Sequence, residues 1–208
     1  MERKTLREEI MRILVVSGHP DLDSASTANC RILNKLSETN LDLNIRRLDQ
    51  TNKGFNVDVA VEQEALLDAD LVVLQTPMYW YSVPALLKNW IDQVFTYGFA
   101  YGKTGNKLKG KGFMMSMTIS SPFGCYQTLG YNNFTVGELL NPLKQTALMS
   151  QMIYQEPVLS YGVLYFPGIV GTAEGIHDLA DDHYERLVGR LTEIDRSGIS
   201  HPTYSKAW

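Results

Sequence analysis

An α/β fold with a parallel sheet is what this sequence predicts, on three observations. Strand-like and helix-like patterns alternate five times along the chain, the order that successive βα units produce. Residues 12–17 and 70–75 are short, almost continuously apolar runs, the pattern of strands buried on both faces. The joints between strands and helices carry helix-starting residues, Ser26 and Thr27 at one and Pro84 at another.

Taken in order, the first strand covers residues 12–17 and ends in Gly18. The helix after it, with Ile32, Leu33 and Leu36 on one side, begins near Ser26-Thr27, and Gly18-His19-Pro20-Asp21-Leu22-Asp23-Ser24-Ala25 lies between. Residues 41–48 alternate apolar and polar, as a strand at or near the sheet edge does. A polar connection, 49–56, leads to a helix around 59–68. The third strand, 70–75, runs into Thr76-Pro77-Met78-Tyr79-Trp80-Tyr81-Ser82-Val83-Pro84 and then a helix over 85–95. Residues 97–112, rich in Gly, Lys and Tyr, read as an irregular excursion, and 113–119 as a fourth, central strand. The following loop, 120–133, is dense in hydroxyls. Thr135 and Glu138 form a capping-box pattern, with Pro142 close enough to kink or restart that helix. The fifth strand falls within 152–164, and Thr172 caps a last helix carrying Ile176, Leu179, Ala180, Leu187, Val188, Leu191 and Ile194. The tail, 195–208, has no pattern.

With 208 residues the chain is read as one domain over 11–208, preceded by an extension, 1–10, because Met11 sits where the first strand begins. A content of 44% hydrophobic and 20% charged residues is ordinary for a globular protein. The net charge of −4 and a pI near 5.6, with no basic cluster, give no reason to expect nucleic acid or an anionic membrane as partner. Cys30 and Cys125, far apart, point away from a disulfide framework and towards a reducing compartment. The first residues are too charged for a signal peptide, and no run approaches the roughly 18 apolar residues of a membrane span. A cytoplasmic location is the expectation.

The chemistry concentrates in loops at the carboxyl ends of strands, where open α/β sheets bind ligands. A loop feeding a helix N-terminus is a ready anion site, since first-turn N–H groups lack partners and carry partial positive charge. The loop after the first strand lacks both G-x-G-x-x-G and the Walker pattern, which disfavours a dinucleotide Rossmann site and a P-loop. Ser26 and Thr27 fit plain capping as well as phosphate binding, and His19 fits a hydrogen-bonded structural role as well as a ligand contact. Tyr79, Trp80 and Tyr81 fit a core, a subunit interface or a planar ligand.

The run Pro77-x-x-Trp80-Tyr81-x-Val83-Pro84-Ala85-x-Leu87-Lys88-x-Trp90, followed by Val94-Phe95 and Gly98-Phe99-Ala100-Tyr101, resembles the signature of the flavin-dependent NAD(P)H:quinone reductases of flavodoxin-like fold. That family includes mammalian quinone reductase, bacterial stress-related NAD(P)H oxidoreductases and the ancillary reductases of glutathione-gated potassium efflux systems. The resemblance spans about residues 12–194. It implies a three-layer α/β/α fold around a five-stranded parallel sheet in the order 2-1-3-4-5. It also implies tightly bound FAD or FMN, with FAD slightly preferred on chain length, and NAD(P)H as substrate.

Residue by residue, Gly18-His19 with Ser26-Thr27-Ala28-Asn29 matches the family's phosphate segment, so His19, Ser26, Thr27 and Asn29 would hold the flavin phosphate or pyrophosphate. Pro77, Met78, Tyr79, Trp80 and Tyr81 would shape the flavin pocket. Ile119, Ser120 and Ser121 fall where the family loop commonly carries Thr-Gly-Gly, so Ser120-Ser121 is a departure that would weaken flavin retention. Tyr126 matches the family tyrosine that hydrogen-bonds near the flavin and is the expected catalytic residue. Asn132 stands where the relative with the best-described proton relay has a histidine, which removes the usual acid–base partner of Tyr126.

The implied reaction is ping-pong, with hydride passing from NAD(P)H to the flavin and two electrons then passing to a quinone or similar small acceptor. Relatives are homodimers with the site at the subunit junction. Two other functions are alternatives: a regulatory subunit of a membrane potassium efflux protein, which shares every one of these residues, and an electron-carrier flavodoxin. Val83-Pro84-Ala85 and the Gly-His-Pro loop resemble the reductases more than the carriers.

Overall fold

The computed structural model describes residues 10–200; the expected extension, apart from Ile10, and the end of the tail lie outside the described residues. From the first strand, β1 (Ile13–Ser17), the chain passes through a single-turn helix α1 (Leu22–Ala25) into α2 (Ala28–Ser37). It continues as β2 (Leu43–Arg47), the short α3 (Leu48–Thr51), α4 (Val59–Asp68), β3 (Leu71–Pro77), α5 (Ala85–Val94) and β4 (Gly112–Thr118). The last third is α6 (Val136–Leu139), α7 (Asn141–Met149), β5 (Ile153–Tyr154), β6 (Val158–Ser160) and α8 (Ala173–Ser197).

All strand pairs are parallel, in the order β2-β1-β3-β4-β5, with β6 also on β4. The expected single fifth strand over 152–164 is corrected: it is two short pieces at one sheet position. Ile153 and Gln155 donate to the carbonyls of Lys111 and Phe113, and the next residue in that alternation is Pro157, which has no N–H to give. The ladder resumes at β6. Three smaller expectations also change. The polar connection after β2 contains α3; Pro142 restarts rather than kinks its helix, sitting in the first turn of α7; and the last helix runs three residues into the expected tail, to Ser197.

Because side chains alternate along a strand, each central strand feeds two cores. Leu14, Val16, Val72, Leu74, Met115 and Met117 pack with α5 and α7 on one face. Ile13, Val15, Leu71, Val73 and Met114 pack with α2 and α8 on the other. That is the three-layer arrangement. Trp90 of α5 is fully buried, and its Nε1–H donates to Glu62 Oε2 of α4 at 2.9 Å. Glu62, itself buried, is also paired with Arg46 of β2, so its charge is compensated rather than stranded. This cluster fixes α5 and hence the loop that feeds it. At the end of β1, a Cβ on Gly18 would lie 2.7 Å from Leu87 Cδ2, so only glycine lets α5 approach the first loop. Among the described residues no helix is long and apolar enough to cross a membrane.

Candidate functional site

The carboxyl ends of β1, β3 and β4 open onto a cleft of about 350 Å³, within the usual size range of small-molecule sites. Its first wall is the loop from β1 into α2. Asp21 caps α1, accepting from the Ser24 N–H at 3.4 Å, which brings the chain round so that α2 starts at the cleft. Ser26 Oγ accepts from the Asn29 N–H at 3.1 Å, so Ser26 does the capping. The Thr27 side chain makes no such bond. Its hydroxyl and the remaining first-turn N–H groups of α2 are therefore available to an anion. A groove of about 460 Å³ between α5 and α7 is larger, but its ionic groups, Lys88 and Asp92, are paired with each other, and it carries no comparable donor set.

His19 is buried at the floor of this wall. Its Nδ1 accepts from the Asp21 N–H at 3.1 Å, which places the ring hydrogen of the neutral form on Nε2. Burial pushes its pKa down, against the opposing charges of Asp21 and Asp49. It is a neutral donor, not a cation. The ring meets Tyr79 edge-on with centroids 6.5 Å apart.

The second wall is the aromatic segment after β3. Tyr79 and Ser82 exchange both backbone hydrogen bonds at 3.0 Å, closing a two-residue hairpin with Trp80 and Tyr81 at its tip. Both tip residues have positive φ, 45° and 62°, a turn conformation that Asn-Gly adopts without strain and aromatic residues do not. Such residues cost on the order of 1–3 kcal/mol each and persist only where the surrounding structure holds them, a pattern that clusters at binding and catalytic sites. Trp80 is 91% exposed, so its ring is displayed rather than used as core. The Tyr81 hydroxyl donates to Asn132 Oδ1 at 3.3 Å, tying the hairpin to the loop after β4, while Asn132 Nδ2 is buried without a partner.

Of the residues singled out in the sequence, His19, Ser26, Thr27, Asn29, Pro77, Met78, Tyr79 and Ser120 line the cleft together. Trp80 and Tyr81 stand at its rim on the hairpin tip. Ile119 is core, and Ser121 bonds the side chain of Tyr126. Tyr126 lies behind Met78, its hydroxyl 3.6 Å from Met78 Sδ, with burial raising its pKa. The partner of Asn132 is thus Tyr81, not Tyr126.

Sequence reasoning missed Thr118 and the far wall, Val163, Leu164, Tyr165 and Phe166, backed by Ile176. The signal was present, because the apolar run there ends in Pro167-Gly168 just as the aromatic loop after β3 ends in a proline. Val163 and Leu164 instead fall within the expected fifth strand, and Tyr165 and Phe166 within no expected element.

A family model described as flavodoxin-like fold matches residues 11–187. The chain is also 41% identical over 154 residues to an NAD(P)H oxidoreductase, YdeQ, of Bacillus subtilis, an alignment covering 73% of this chain and 76% of that protein. It belongs to the flavodoxin-like NAD(P)H oxidoreductase family. Within that family it is 41% identical over 145 residues to KefF of an Enterobacter strain, the ancillary protein of a glutathione-regulated potassium-efflux system, covering 70% of this chain and 80% of that one. Among solved structures, the general stress protein 14 of Treponema denticola, in complex with FMN, superposes with a TM-score of 0.79 at 27% identity. It covers 88% of this chain and 99% of that one.

Proposed function

We propose that this oxidoreductase holds FMN in the cleft and passes two electrons from NAD(P)H to a quinone or similar small acceptor by a ping-pong cycle. The observation that carries the reading is the meeting, in one cleft, of an anion-ready α2 N-terminus with an aromatic hairpin and hydroxyl-bearing loops. The donor set fits a phosphorylated planar cofactor. FMN is favoured over the FAD expected from chain length because the Treponema denticola relative was solved with FMN. Bound flavin would accept hydride and return electrons.

The chain's own residues bind and orient. Thr27, the first turn of α2 and His19 Nε2–H hold the phosphate end, while Pro77, Met78 and Tyr79 line the ring region. Trp80 and Tyr81 form the rim against which nicotinamide and acceptor would stack in turn. Tyr126 is a buried phenol, held neutral, that can donate a hydrogen bond but does not ionise near neutral pH. Asn132 does not titrate, so no His-type ionisation at this position enters the pH profile. Leu129 and Tyr131 on the loop after β4, 96% and 89% exposed, and Trp80 on the hairpin tip are large apolar side chains left uncovered, which supports a homodimer closed over the site.

The test is steady-state NADPH oxidation with a soluble quinone. Parallel double-reciprocal lines and FMN bound at one per chain are expected; intersecting lines would exclude the ping-pong cycle, and turnover without flavin would exclude the cofactor. The similarity to KefF favours a second reading, an ancillary role on a potassium efflux protein, which co-purification with such a protein's cytoplasmic part would test.

A further inference from the structure

The core beneath the cleft holds a line of polar side chains that joins two residues of its lining, Asn29 and Thr118, to groups with no role in the site just described. Asn29 Nδ2 donates to Thr118 Oγ1 at 3.0 Å, and Gln75 Nε2 donates to Asn29 Oδ1 at 2.8 Å. Ser116 Oγ donates to Gln75 Oε1 at 2.5 Å and lies 2.7 Å from His183 Nε2. Ser160 Oγ lies 2.8 Å from His183 Nδ1 and accepts from Arg186 Nη2 at 2.7 Å. From Thr118 to Ser160 every member is buried, and His183 is completely so.

The single hydrogen of Ser116 sets which way the hydrogens run. It lies on Gln75 Oε1, so His183 Nε2 must donate to Ser116, and Nδ1 is left as the acceptor of the Ser160 hydrogen while Arg186 donates to a lone pair of Ser160. Arg186 is held in place by Asp182 Oδ2 at 2.9 Å and the Leu159 carbonyl at 3.0 Å. The neutral imidazole then carries its hydrogen on Nε2 and donates to Ser116. Each following link passes its hydrogen onward, Ser116 to Gln75, Gln75 to Asn29, Asn29 to Thr118. Thr118 is the last member, lines the cleft, and has no acceptor for its own hydrogen among the described residues. Running the chain backwards would require the amides of Gln75 and Asn29 to turn over together.

We infer that His183 and Ser116 are positioning residues, which through this chain make Thr118 a fixed hydrogen-bond donor to an acceptor oxygen of the molecule held in the cleft. The identity of that molecule as flavin rests on the function proposed above; the direction of the chain does not. The charged groups nearest His183 are Arg186 and Asp182 of its own helix, while β4 and β6 present only the Ser116 and Ser160 hydroxyls. Burial holds the ring neutral, as the relay requires.

The experiment is ¹⁵N NMR of the histidine rings in the full-length protein, paired with FMN titration of the Ser116→Ala and Ser116→Thr variants. Wild-type His183 should be the Nε2–H tautomer and stay unprotonated from about pH 8 down to about pH 5. Ser116→Ala cuts the chain below His183, so a mixture of tautomers and an FMN Kd raised about tenfold are expected. Ser116→Thr, which keeps the hydroxyl, should recover both. An Nδ1–H tautomer in the wild type, or unchanged tautomer and FMN affinity in Ser116→Ala, overturns the proposal. If the wild type binds no flavin, the ligand half falls with the functional reading, while the tautomer still decides the direction of the chain.

Discussion

His19 and His183 are both buried, both kept neutral by burial, and both hydrogen-bonded through Nδ1, yet they occupy opposite kinds of environment. His183 has a partner on each nitrogen, and its bonding capacity is used up inside the protein. Among the described residues His19 has a hydrogen-bond partner on Nδ1 alone, and it lines the cleft, so its Nε2–H is not used up inside the protein. The depressed pKa therefore does not distinguish a histidine whose bonding is complete from one proposed to bind a ligand. The unused hydrogen-bonding capacity does, and the same contrast separates Ser26, occupied as a cap, from its neighbour Thr27.

The sharpest break of the comparison is acid. The pKa of His183 is pulled down to about 3, while the unfolded chain has the ordinary value of 6.5. The unfolded state takes up the proton first, so stability falls as pH drops below about 6.5 and levels off only near 3, by up to about 1.4 kcal/mol per unit. Urea unfolding at about pH 7 and about pH 4.5 should differ by roughly 2–3 kcal/mol from this group, and His183→Gln should flatten that slope. An equal slope in the variant would remove His183 as its source.

His19→Phe keeps the volume but not the Nε2–H. It should raise the FMN Kd on the order of tenfold while changing unfolding free energy by less than about 1 kcal/mol. Calorimetric titration set beside thermal melts separates the two effects; a large melting shift with unchanged affinity would assign His19 to the structural class.

Much of this contrast could not be read from sequence. The alternation of patterns, the apolar runs of β1, β3 and β4, and Pro84 located the sheet and the loops at its carboxyl ends, because strand burial and helix starts leave local marks. Which of Ser26 and Thr27 caps α2 depends on the turn made by α1, a short helix set by Asp21 that has no periodicity to detect. The split at Pro157 and the far wall at Val163–Phe166 depend on the alternation of donors to β4, which only the paired strands reveal. The buried polar chain joins residues 29, 75, 116, 160 and 183, whose proximity is a property of the fold alone.

The hairpin tip sharpens the comparison at smaller scale. Tyr81→Gly relieves the left-handed conformation at φ 62° and should raise the melting temperature, worth about 1 kcal/mol, while lowering quinone turnover several-fold. A variant both more stable and fully active would mean the strain serves no site. Thr27→Ala is the gentlest change. It should weaken FMN binding about three- to tenfold with no measurable change in stability, since its hydroxyl caps nothing.

The central claim, that this cleft is a flavin site for nicotinamide-driven electron transfer, is tested most directly by reconstituting the protein with FMN and adding NADPH or NADH without oxygen. Rapid loss of the flavin's visible absorption, restored by one equivalent of quinone, is the predicted result. Failure to bind FMN, or bound FMN that neither nicotinamide can bleach, would contradict it.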